Sequence, residues 1–122
     1  KMLAGEPTEF TPGMQRWEYL FSADAGRAFY LIGEKGRDGA VYCVGSGQPA
    51  LLRDYIQKMA ELTDYRNPGI GARPYPKGAV MNLCADIDSL YQDTGFVPEY
   101  TFEQGIRETI AWLKSQSTGD KK

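Results

Sequence analysis

The sequence predicts a mixed α/β fold of about four helices and short strands. Three observations lead there. Apolar residues recur at helical spacing in separate stretches, as in Leu51, Leu52, Tyr55, Ile56, Met59, Ala60 and Leu62. Short aromatic or aliphatic runs, Trp17 to Phe21 and Ala40 to Val44, lie between those stretches. Glycine and proline clusters punctuate the two kinds of segment.

Taken in order, residues 1 to 13 read as loop, with one short strand possible around Glu9 to Thr11. Trp17 to Phe21 reads as a strand, and Ser22 or Asp24 can cap a helix carrying Ala25, Ala28, Phe29 and Ile32 on one face. Three glycines between Gly33 and Gly39 end that helix. The near-continuous apolar run Ala40 to Val44 suits a strand covered on both faces. Pro49 fits the first turn of the next helix, which extends to Leu62. Tyr65 to Gly78 holds Asn67-Pro68-Gly69, Gly71, Pro74 and Pro76 and reads as a long loop. Val80 to Ala85 can form a short strand. Asp86 or Asp88 caps a short helix through Tyr91, with Gly95 suited to its C-terminal cap. Thr101-Phe102-Glu103-Gln104 is a capping box for the last helix, which is expected to bury Phe102, Ile106, Ile110 and Leu113. The expectation is one partial domain over residues 1 to 116 and a flexible tail over 117 to 122.

Composition limits the function classes. A length of 122 residues suits one domain, and 42% hydrophobic with 25% charged residues argues against disorder. A net charge of −2 offers no cationic footprint for nucleic acid. The absence of histidine removes the commonest general base and transition-metal ligand, so no metal site is expected. No apolar run is long enough to span a membrane, and residues 1 to 7 lack the apolar core of a signal peptide. Met2 is expected to be the natural start, and the default compartment is the cytoplasm. Cys43 and Cys84 each sit in an apolar stretch and are expected to be buried free thiols; their spacing alone leaves a disulfide or a reactive thiol open.

Gly45-Ser46-Gly47-Gln48-Pro49-Ala50 matches the G-x-G-x-x-G/A phosphate-binding pattern, and Asp64 follows about 20 residues on. The acidic residue should end a second parallel strand, but the chain runs from Leu62 into Tyr65-Arg66-Asn67-Pro68-Gly69. An ordinary turn is therefore expected. None of the eight tyrosines has lysine at the fourth following position; Tyr55 and Lys58 are three apart. No catalytic residue is expected in this chain. For substrate contact, Arg73, Tyr75 and Lys77 on the long loop can clamp a diphosphate or stand as solvated charge. Arg16 and Trp17 place a cation beside an aromatic that can serve as a base or sugar platform, or simply pack.

A series of segments resembles the C-terminal part of the extended short-chain dehydrogenase/reductases, the NAD-dependent epimerase/dehydratases of nucleotide sugars. The series comprises Thr11 to Phe21, Asp24 to Phe29, Val41-Tyr42-Cys43-Val44-Gly45-Ser46-Gly47, Ala85-Asp86, Gly95-Phe96-Val97-Pro98, and Phe102 to Trp112. It covers roughly residues 9 to 115. The Gln-x-Trp-Glu-Tyr-Leu variant looks closest to the sugar 4-ketoreductases and 4,6-dehydratase relatives.

The resemblance implies a substrate-lobe portion of a Rossmann-type enzyme, without the dinucleotide-binding half and its Tyr-x-x-x-Lys pair. It implies NAD(P) for a full-length parent and no cofactor bound by this chain. It implies a nucleotide-sugar substrate, and either self-association or an N-terminal half as protein partner, because Tyr42 to Gly47 resembles a strand at the edge of the Rossmann sheet. Two positions depart from the family pattern. Trp17 stands where many relatives place a diphosphate-binding arginine, and Pro74-Tyr75-Pro76-Lys77-Gly78-Ala79 lacks the arginine and glutamate of Pro-Tyr-Arg followed by Gly-Glu. A free-standing binding module, for a nucleotide, a sugar or a protein, is the alternative.

Overall fold

The computed structural model describes residues 1 to 119. A 3-10 turn, Met2–Ala4, opens the chain. Two short strands, β1 (Arg16–Trp17) and β2 (Ala50–Leu51), and four helices follow: α1 (Ser22–Lys35), α2 (Leu52–Leu62), α3 (Asp88–Thr94) and α4 (Phe102–Gly119). β1 and β2 pair antiparallel, Arg16 opposite Leu51 and Trp17 opposite Ala50. On its other side Arg16 bridges Asn82, its amide donating to Met81 O at 2.8 Å and its carbonyl accepting from Leu83 N at 2.8 Å.

The helices pack as two pairs, α1 on α3 and α2 on α4. Ala28, Leu90 and Phe96 are fully buried between the first pair, covered by Leu20, Leu31, Ile32, Tyr42, Val44 and Ile87. Tyr55, Ile56 and Ala60 form the buried face of α2. Tyr55 lies edge-on to Tyr19, with ring centroids 5.0 Å apart, and 4.5 Å from Phe102. This aromatic triad joins the segment after β1 to both α2 and α4.

Several expectations change. Of the predicted Trp17 to Phe21 strand only Trp17 pairs, together with Arg16 before it, because β2 is two residues long and gives way to α2 at Leu52. Pro49 therefore precedes β2 and is not in a helical turn. Ala40 to Val44 has no strand partner among the described residues. Tyr42 and Val44 face the core, while Val41 is 91% exposed and Cys43 is also exposed. The segment is thus covered on one face, not two. Val80 to Ala85 contributes one bridge, and so does Phe10, paired with Ile70.

Asp24 lies inside α1, whose N-cap is Phe21 without a side-chain cap, and Phe29 points outward at 67% exposure. α1 passes Gly33 and closes where Gly36 N donates to Ile32 O at 2.8 Å. α3 starts at Asp88, with Asp86 accepting from Asp88 N at 3.0 Å, and ends at Gly95 in the left-handed conformation (φ 75). The capping box forms: Gln104 N donates to Thr101 Oγ1 at 3.2 Å and Thr101 N to Gln104 Oε1 at 2.8 Å. α4 continues to Gly119, so residues 117 to 119 are helical where a tail was expected; 120 to 122 lie outside the described residues. Both thiols are free and exposed, against the expectation of burial: the run around Cys43 is covered on one side only, and residues 80 to 84 are exposed throughout.

Candidate substrate-side site

The seam between residues 9 to 17 and 69 to 83 holds the five sequence-derived candidates. It is built from backbone pairing at its two ends, Phe10 with Ile70 and Arg16 with Asn82. The loop between adopts turns required by its proline and glycine content, one of them closed by Ala79 N donating to Pro76 O at 3.1 Å. Tyr75 anchors it, its hydroxyl accepting from Met14 N at 2.9 Å. The Trp17 indole donates to Val80 O at 3.3 Å. Trp17 and Tyr75 thus lie on one seam, with Lys77 on the turn between their contacts. Lys77 makes no ion pair among the described residues.

The two arginines are drawn elsewhere. Arg16 donates to Pro49 O at 3.2 Å, across β2. Arg73 pairs with Glu9 at 3.0 Å, at the far end of the seam. The structure therefore brings Trp17, Tyr75 and Lys77 to one stretch and separates Arg73 from it. Of the seam's three cations, Arg73 is ion-paired, Arg16 keeps its charge while donating to a neutral carbonyl, and Lys77 offers a flexible ammonium, a point charge without the bidentate geometry of guanidinium.

Glu18 was missed from the sequence. Its carboxylate accepts from Gly47 N at 2.7 Å, Ser46 Oγ at 3.2 Å and Ala85 N at 2.9 Å. Cys84 Sγ also donates to it, at 3.7 Å. Partial desolvation, then this neighbouring carboxylate, raises the Cys84 thiol above its ordinary range, which lowers its thiolate content at neutral pH. The available signal was an acid inside the otherwise apolar Trp17 to Phe21 run, where a charge is retained only if it is partnered.

This contact decides the glycine turn. A phosphate-binding glycine loop needs free backbone amides. Here the Gly47 amide is taken by a carboxylate that would also repel phosphate. A side chain at Gly45 would collide with the Glu18 carboxylate and with Ala85 Cβ at 2.7 Å, so the glycine serves this internal packing. Asp64 sits in a left-handed turn (φ 54) and ends no strand. The turn does not fit a dinucleotide.

Tyr55 is likewise committed to structure. Burial raises its pKa above the ordinary phenol value, and its hydroxyl donates to Gln48 O at 3.4 Å. Lys58, the nearest lysine in sequence, pairs with Glu61 at 3.1 Å and Glu103 at 3.6 Å. Among the described residues no cluster of acids and thiols could hold a metal ion, and no helix is long and apolar enough to cross a membrane.

Comparison with known proteins follows the same outline. No family model matches the chain. The chain is 30% identical, over 97% of its length, to the dTDP-glucose 4,6-dehydratase of Xanthomonas campestris pv. campestris and spans 36% of that protein. Its fold superposes on the UDP-glucose 4-epimerase of Thermotoga maritima, solved with UDP-glucose, with a TM-score of 0.85 and 26% identity. That match covers 94% of this chain and 37% of the epimerase. MoeE5, solved with UDP-glucuronic acid and NAD, matches with a TM-score of 0.80 and 26% identity, over 93% of this chain and 38% of MoeE5. The chain thus spans a little over a third of the length of these relatives.

Proposed function

We propose, from the premise that this chain corresponds to the C-terminal part of an extended short-chain dehydrogenase/reductase of the nucleotide-sugar type, that it supplies the substrate side of such an enzyme and is not catalytic by itself. The observation that carries this reading is the Glu18 carboxylate closing the Gly45 to Gly47 turn. The one sequence feature that could have held a dinucleotide is spent on internal structure, and no Tyr-x-x-x-Lys pair is available for proton transfer.

Within this reading NAD(P) is held by other parts of a parent epimerase, dehydratase or reductase, in the cytoplasm. The residues here do not fit the cofactor, and no step is assigned to it. What the chain offers is the seam: the Trp17 indole for a base or sugar face, the Tyr75 phenol and the Lys77 ammonium for polar groups. Arg16 and Arg73 each commit one guanidinium nitrogen, to Pro49 O and to Glu9, and keep further N–H donors. The half-covered Ala40 to Val44 segment is the surface for the rest of such an enzyme, or for a second copy when the chain is alone.

The test is titration of the 15N-labelled chain with UDP-glucose and dTDP-glucose, alongside an assay with NAD. Saturable shifts at Trp17, Tyr75 and Lys77 without turnover are expected, and Trp17→Ala should weaken binding at least fivefold. Turnover by the chain alone, or saturable binding mapped away from β1, would overturn the proposal. The internal pairing of both seam arginines favours one second reading, a module that binds a protein partner, in which neither nucleotide sugar gives saturable shifts.

A further inference from the structure

A groove between the start of α1 and the middle of α4 lies outside the β1 seam. Its inner part encloses about 270 Å³ and includes Tyr19, Phe21, Tyr100, Phe102 and Ile106 in its walls. An adjoining section of about 530 Å³ is lined by Phe21, Ser22, Glu108, Thr109 and Trp112. The Phe21 ring is held in place, stacked at a tilt on Tyr100 with centroids 4.7 Å apart. Its other neighbour is Gly105, where a side chain would meet the ring at 3.0 Å, so the glycine lets the ring lie against the α4 backbone.

The wider section combines two aromatic rings with a carboxylate. Glu108 and Trp112 are four residues apart on α4 and share a face. Trp112 is 60% exposed, unusual for an indole that only packs. The Glu108 side chain makes no hydrogen bond or ion pair among the described residues. Its neighbour Arg107 turns to Glu103 at 2.7 Å and does not neutralise it. Aromatic faces beside an uncompensated carboxylate attract an organic cation. A guanidinium uses both features, stacking flat on a ring and forking to a carboxylate. The inner section is apolar and continuous with this one through Phe21, Ser22 and Thr109, which suits the side chains flanking such a cation in an extended segment.

We propose that this groove docks an extended, arginine-bearing segment of a partner protein, with the arginine between Phe21, Trp112 and Glu108 and its apolar neighbours along Tyr100 and Ile106. Glu108 also lies near the start of α1 at Ser22, whose positive dipole end would attract it in the absence of any partner.

The experiment titrates the 15N-labelled chain with Ac-Arg-Pro-Leu-NH2 and with the peptide carrying citrulline, a neutral arginine isostere. The expected result is saturable shifts of the Trp112 indole and the Gly105 amide with the arginine peptide. Binding of the citrulline peptide should be at least tenfold weaker, and Glu108→Gln should erase that difference while leaving the remaining spectrum unchanged. Equal binding of the two peptides, or no saturable shift with either, would overturn the proposal. So would Glu108→Gln melting lower while still discriminating the peptides, which would assign Glu108 to the α1 terminus.

Discussion

Asp24 is 1% exposed and accepts from Glu99 N at 3.0 Å and Tyr100 N at 3.0 Å, with Arg27 alongside at 3.2 Å. Burial pushes its carboxyl upward. The two amides and Arg27 outweigh burial and leave it below the usual carboxylate range. A depressed folded pKa means the stabilisation is full above the unfolded value of about 3.9 and is lost as pH falls through the folded pKa. Chemical denaturation should therefore show stability declining below about pH 4. Asp24→Asn should have a lower plateau at neutral pH and a shallower acid decline; an unchanged decline would show that other acids dominate. Asp24→Ala, which strands two buried amides, should cost about 3 kcal/mol. Gly45→Ala, which drives a methyl into Glu18 and Ala85, should cost about 2 kcal/mol by the same measurement. Neither carboxylate role was legible in the sequence. Asp24 sits where a cap is expected and Glu18 where a strand residue is expected, and the backbone amides that both carboxylates hold lie 29 to 76 residues away.

At the scale of elements, some local signals held and others did not: the predicted Ser22 or Asp24 cap, the Gly33 stop and the helical turn at Pro49 are absent. The Thr101–Gln104 box and the Gly95 stop depend on neighbours within a turn, and both form as the sequence implies. Thr101→Ala should lower stability by about 1 kcal/mol, with α4 amide protection falling first in hydrogen exchange. Strand length depends on the partner. Trp17 to Phe21 is aromatic-rich, but a two-residue β2 limits the ladder to Arg16 and Trp17. Ala40 to Val44 has the apolar continuity of a doubly covered strand, yet its outer face carries Val41 and Cys43 in the open. Under the proposal that this face meets another surface, the isolated chain should self-associate. Val41→Lys with Cys43→Ser should shift sedimentation equilibrium toward monomer without lowering the melting temperature. A wild-type chain that is monomeric at high concentration would contradict the prediction.

At the scale of the whole molecule, helix pairs α1 with α3 and α2 with α4 fix a frame on which β1 presents Trp17 beside the loop carrying Tyr75 and Lys77. The mixed α/β class was legible because helical periodicity and capping dominate the chain, and the order of motifs pointed to the nucleotide-sugar enzymes that the chain is similar to. Arrangement within the site was less legible. Arg16 and Arg73 look from sequence like ligand cations, but folding gives them Pro49 O and Glu9, contacts set by long-range register. The same holds for the glycine turn, whose pattern is that of a dinucleotide loop and whose amide is filled by Glu18. The central claim, that the chain carries a substrate-side surface and no cofactor site, is tested most directly by calorimetric titration of the purified chain with NAD. The account predicts no saturable heat up to millimolar NAD; a saturable isotherm at micromolar affinity would contradict it.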